Sequence, residues 1–180
     1  MERNKVKKQK ITVYGIVIVL ALSMYFNFNL YKENNNFKVS KGAAYQDTVS
    51  LTLFYLNEGD VDVWIETLQK EENGDVLLER YIGNLNEIAN GYRGMSANVQ
   101  IIDEQIKNII RQYRELEKNL VEGKDYQVFK EEINKNITFI RTVLEQVILD
   151  LEGEDEVLWY KELSDIETKT GNYIWEQYKE

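Results

Sequence analysis

The stretch Ile11–Phe28, ITVYGIVIVLALSMYFNF, constrains this chain more than any other, because it contains eighteen residues and no charge. Charged and polar sequence flanks it, ERNKVKKQK on one side and NLYKENNNFK on the other. A helix crosses a bilayer with roughly 17–25 apolar residues at about 1.5 Å rise each. Ile11–Leu30 therefore gives a span of about 30 Å. Tyr14, Tyr25, Phe26, Phe28 and Tyr31 lie in or beside the run, as interfacial aromatics do. Arg3, Lys5, Lys7, Lys8 and Lys10 against Glu2 give residues 1–10 a net charge of +4. Under the positive-inside rule that basic tail stays in the cytoplasm and the chain beyond the span is exported.

Two other readings of the run compete. Ile11–Leu20 also fits the apolar region of a cleaved signal, with Ala21-Leu22-Ser23 as a tolerable cleavage site; that would leave a secreted chain. A buried core helix would be amphipathic or flanked by polar helical sequence, whereas this run is apolar all round. Apolar character continues past Ser23 to Phe28, which favours an uncleaved signal anchor. The resulting division is a basic cytoplasmic tail (1–10), a transmembrane signal anchor (11–30), a polar linker (31–39) and an extracytoplasmic helical bundle domain (40–180). Asn34, Asn35 and Asn36 read as a flexible exit from the membrane.

The 180-residue chain has a net charge of −9, which leaves −13 on residues 31–180. Phosphate backbones need Lys and Arg to neutralise them, so nucleic acid is excluded as a partner. Net acidity instead favours solubility and basic partners. The sequence has no Cys, no His and no Pro. An exported domain without Cys is held by packing alone. Without His it lacks the usual zinc ligand, general base and pH switch. Freedom from Pro suits long uninterrupted helices, and the Asn/Lys/Ile/Glu-rich composition points to a bacterial source.

Beyond Lys38 the apolar spacing is helical throughout, with breaks at Gly-containing clusters. A first segment, 42–57, places Tyr45, Val49, Leu53 and Leu56 on one face, with Ser40 as a candidate cap. Glu58-Gly59-Asp60 ends it, and Asp60 can cap the next helix. Val61, Trp64, Ile65 and Leu68 follow at i, i+3, i+4, i+7 over 61–72. Leu78, Ile82, Leu85 and Ile88 resume the period over 76–90, after Asn73-Gly74-Asp75. The clearest turn is Asn90-Gly91-Tyr92-Arg93-Gly94.

A helix over about 96–121, with Ser96 as cap, carries the heptad seam Val99, Ile102, Ile106, Ile109, Tyr113, Leu116 and Leu120. Glu122-Gly123-Lys124 has room only for a reversal. A helix over about 125–151, capped by Asp125, then returns with Phe129, Ile133, Ile137, Ile140, Leu144, Val147 and Leu151. A last segment, about 155–178, carries Trp159, Leu163, Ile166 and Tyr173. The expected fold is all-α: one transmembrane helix, then an antiparallel bundle of about four to five helices around a long αα-hairpin (about 96–151).

Motifs that carry chemistry are scarce. Glu152, Glu154, Asp155 and Glu156 form the densest carboxylate run. Their spacing matches no calcium loop, nor does Asn57–Asp62, and a run across a turn suits the start of the next helix. Carboxylate pairs can hydrolyse glycosides, but here each Asp or Glu fits a polar face or a cap. Asp103 with Lys107 and Glu131 with Lys135 are ordinary i,i+4 pairs. No phosphate loop, nucleophile elbow or HExxH motif is present. Asn136-Ile137-Thr138 matches a glycosylation sequon inside a helix, with Ile137 on the seam.

Trp175 stands apart. It lies two positions from Tyr173, about 200° round a helix, so the two cannot share one core face. Trp and Tyr are enriched among interface anchors, which makes Trp175 and Tyr178 the candidate partner-binding residues. The expectation is a non-enzymatic accessory or regulatory subunit, without cofactor or metal, that binds another envelope protein or itself. One alternative is an extracytoplasmic bundle that senses a small ligand between its helices and signals through a second membrane protein. Another is a carboxylate-dependent envelope hydrolase.

Overall fold

The computed structural model of the chain describes residues 2–179, and residues 2–13 by their backbone only. Among the described residues it contains seven α-helices and no strand. They are α1 (Glu2–Asn57), α2 (Val61–Lys70), α3 (Gly74–Gly91), α4 (Ile101–Val121), α5 (Gln127–Leu151), α6 (Glu156–Ser164) and α7 (Lys169–Lys179). Two compact units divide the chain, Met1–Lys38 and Val39–Glu180.

In the first unit, the apolar side chains of α1 from Tyr14 to Tyr31 are exposed, Ile16 to Leu20 all by more than half. It is the one described helix long and apolar enough to cross a membrane. Such exposure is costly in water and natural in hydrocarbon. The expected flexible exit at Asn34–Asn36 is helical, and Ser40, expected as a cap, lies inside α1. No Gly or Pro falls between Gly15 and Gly42, and Asn penalises a helix interior by only a few tenths of a kcal/mol.

In the second unit, α4 is the central element. It packs against α3 on one side and α5 on the other, with α7 also in contact. Ile101, Ile102, Ile106, Ile109, Ile110, Tyr113 and Leu116 of α4 are all buried, a wider apolar surface than the single expected seam. Leu120, in the last turn of the helix, is half-buried. From α5, Ile133, Ile137, Ile140, Leu144, Val147 and Leu151 close the core opposite it, with Phe129 half-buried.

The reversal between them is a Schellman motif. Gly123 takes φ +66°, its N–H donates to the Leu120 carbonyl at 3.2 Å, and the Lys124 N–H donates to the Asn119 carbonyl at 2.8 Å. Asn119 also donates to the Asp125 carbonyl, at 2.7 Å. Across the pair, the Gln112 amide donates to Glu132 at 2.7 Å and accepts from Asn136 at 3.1 Å, so α4 and α5 run antiparallel.

Expected boundaries change at the start of α4 and within the last segment. α4 begins at Ile101, because residues 96–100 form a tighter lead-in: the Ser96 carbonyl accepts from both Val99 and Gln100. The Ser96 hydroxyl caps nothing and has no partner. Asp60 does cap α2, accepting from the Asp62 N–H at 2.9 Å, whereas Tyr126 takes the cap position of α5 and Asp125, one residue before it, accepts from the Gln127 N–H at 2.9 Å. The last segment is two helices. The Asp165 carboxylate accepts from Glu167 N–H and the Thr168 hydroxyl accepts from Gly171 N–H, so local side-chain bonds displace the helical ladder there. Ile166, expected on the seam, is consequently 51% exposed, and Ile174 rather than Tyr173 is fully buried.

Candidate functional site

Helix α7 lies antiparallel to α5. Lys169 at its start pairs with Asp150 at 2.8 Å, and Tyr178 near its end meets the ring of Phe139. Ile174 and Thr170 take the buried face of α7. At 100° per residue, Trp175 and Tyr178 share the neighbouring face. They are 38% and 44% exposed, with ring centroids 6.1 Å apart and stacked. Tyr178 meets Phe139 edge to face at 6.3 Å. The Lys179 ammonium lies 4.6 Å from the Trp175 ring centroid, within cation–π range.

The structure thus brings the two sequence-derived residues together and adds Phe139 and Lys179 to them. Phe139 lies off the α5 seam, beside Ile140, and an apolar residue next to a seam is the signal that marks it. Trp159, expected in the core, is 2% exposed and its indole N–H has no partner. Trp64 is half-buried and stacks on Tyr81 at 5.0 Å.

The other sequence features take structural roles. Asp155 caps α6, its carboxylate accepting from Leu158 N–H at 2.9 Å. Among the described residues no group of three or more acidic side chains converges as a metal site. Asn136 of the sequon lies within α5 with its side-chain amide nitrogen donating to Gln112 at 3.1 Å, so the glycan-accepting nitrogen is engaged inside the bundle. Asp103 pairs with Lys107 at 2.6 Å, while its other oxygen is buried without a partner.

A feature that sequence periodicity passes over is a set of aromatic donors at the end of α1. The Tyr113 hydroxyl donates to the Gly59 carbonyl at 2.8 Å, and the Tyr81 hydroxyl donates to the Tyr55 carbonyl at 3.3 Å. The Trp64 indole donates to the Glu58 carbonyl at 3.2 Å. A helix leaves its last carbonyls unpaired; the Tyr81 hydroxyl bonds one of these, that of Tyr55, while Trp64 and Tyr113 bond the Glu58 and Gly59 carbonyls of the turn that follows. Burial pushes the Tyr81 and Tyr113 hydroxyls well above the ordinary phenol range, so both remain protonated donors. Comparison with protein-family models, curated proteins and solved structures returned no match, so the functional reading rests on geometry alone.

Proposed function

We propose that this chain is a membrane-anchored extracytoplasmic protein of the bacterial envelope. In this reading its N-terminus is cytoplasmic, α1 holds it in the cell membrane, and the exported residues form an antiparallel helical bundle. The bundle acts as a non-catalytic accessory or regulatory subunit that binds another envelope protein. One observation carries the binding role: Trp175, Tyr178 and Phe139 form a contiguous, partly exposed aromatic cluster next to a buried helix face. Exposed clusters of large aromatics are the usual anchors of protein interfaces.

The test is site-specific photocrosslinking in intact cells, with the crosslinker at Tyr178 and, as a control, at the exposed position Glu104. The expected result is one discrete adduct from position 178, absent from 104, that disappears in Trp175→Ala while the helical circular dichroism is unchanged. A ten-fold or greater loss corresponds to about 1.4 kcal/mol or more, as for an interface anchor. The reading fails if position 178 gives neither a partner adduct nor a self-adduct, or if the adduct survives Trp175→Ala undiminished.

A further inference from the structure

A cleft of about 370 Å³ lies between the α1–α2 turn and α5, within the usual size range of small-ligand sites. Its apolar lining comes from Leu56 and Ile137. Asp60 and Asp62 line the turn side, and Arg141 comes from α5, so one cleft holds charges of both signs.

Those charges are only partly matched within the protein. One oxygen of Asp60 caps α2, and one oxygen of Asp62 pairs with Lys130 at 2.5 Å. The second oxygen of each makes no hydrogen bond among the described residues. Arg141 reaches Glu145 only at 3.8 Å, in the Arg-before-Glu order that stabilises a helix less. The Thr138 hydroxyl also lines the cleft, and it lacks the i−4 carbonyl bond that Thr48, Thr52 and Thr67 each make. The turn wall is fixed in advance, because the Tyr113, Tyr81 and Trp64 donors hold the carbonyls of Gly59, Tyr55 and Glu58. A wall held before binding lowers the ordering cost of a ligand.

We infer that this cleft binds a small zwitterion of amino-acid or dipeptide size. Its carboxylate takes the planar donors of Arg141, and its ammonium takes the free carboxylate oxygens of Asp60 and Asp62. A simple anion or a simple cation leaves one half of the charge set unused. This site is separate from the Trp175 cluster and stands or falls independently of it.

The probe is L-alanyl-L-alanine, with its N-acetyl and C-amide forms, titrated calorimetrically into the full chain in nanodiscs. The free dipeptide binds saturably in the millimolar range or tighter, and each blocked form binds at least about ten-fold more weakly. Arg141→Gln removes detectable binding. Asp60→Asn weakens binding but keeps the fold, because Asn caps a helix as well as Asp does. Glu145→Gln leaves binding unchanged or tighter. The inference is overturned if the dipeptide shows no saturable heat, if the blocked forms bind equally well, or if Arg141→Gln binds like the parent with an unchanged melting temperature. None of these results alters the Tyr178 crosslinking outcome.

Discussion

Tyr113 meets Tyr81 edge to face at 5.6 Å, and Tyr81 stacks in turn on Trp64. The row of rings fills the space under the α1–α2 turn, where the Tyr113–Gly59 bond is buried, the Tyr81–Tyr55 bond part-buried and the Trp64–Glu58 bond exposed. Buried acceptors are costly to leave unpaired, by about 1–3 kcal/mol each. Tyr113→Phe keeps the ring and deletes only the donor to Gly59. It should lower stability by about that amount in a denaturant titration, with the slope of the transition unchanged. The sequence showed Tyr113 on the α4 seam, and it is fully buried there. Periodicity reads the ring as apolar volume and says nothing of where the hydroxyl ends. Tyr92 illustrates the same limit: it sits in the expected turn, yet it is fully buried with its hydroxyl 2.8 Å from Thr52. Likewise Trp175 was found by being out of phase with Tyr173, whereas Phe139 supports it through a contact between two helices that spacing along one chain does not encode.

At the level of elements, the seams of α4 and α5 are legible because each repeats over about six to seven turns and each ends at a Gly-containing turn. Short helices are less so. The α6–α7 break depends on side chains that compete for backbone groups, the Thr168 hydroxyl donating to the Glu162 and Asp165 carbonyls at 2.7 and 2.9 Å. No apolar period reports that competition. Close helix approach is equally silent in sequence. Apolar spacing marks Gly42 only as the start of a segment, but a Cβ there would lie 1.7 Å from the Glu156 carbonyl oxygen. Backbone sits on both sides of that contact, so no flexible side chain can yield. Gly91 shows the milder case, where a Cβ would meet the Thr48 side chain at 2.8 Å. Gly42→Ala should therefore push α1 away from the start of α6 and cost about 1–3 kcal/mol, although Ala is intrinsically the better helix former. A thermal melt decides between the two effects: a lowered midpoint means packing governs, and a raised one means propensity does.

For the whole molecule, the separation of charge along the chain gives a physical handle on orientation. Residues 1–10 carry +4 and residues 31–180 carry −13, with an uncharged stretch between them. Moving the acidic part outward and retaining the basic tail agrees with both the positive-inside bias and the anionic inner leaflet. The absence of Cys makes the arrangement directly measurable, because any introduced thiol is the sole one in the chain. A membrane-impermeant maleimide should label Glu104→Cys, an exposed position on α4, in intact cells. Lys5→Cys should react only after permeabilisation. Intact mass should include residues 1–23 in the membrane fraction. A mature chain beginning near Met24 in the medium would instead make the apolar stretch a removed signal and the bundle a secreted one. Reversed labelling would place the acidic domain in the cytoplasm, and the Trp175 surface would then have to meet a cytoplasmic partner. Orientation thus decides which set of proteins the aromatic cluster can reach. With α1 as the proposed anchor, its exposed run would constrain the proposed partner as strongly as the cluster on α7, since a tethered surface meets only what comes within reach of its membrane.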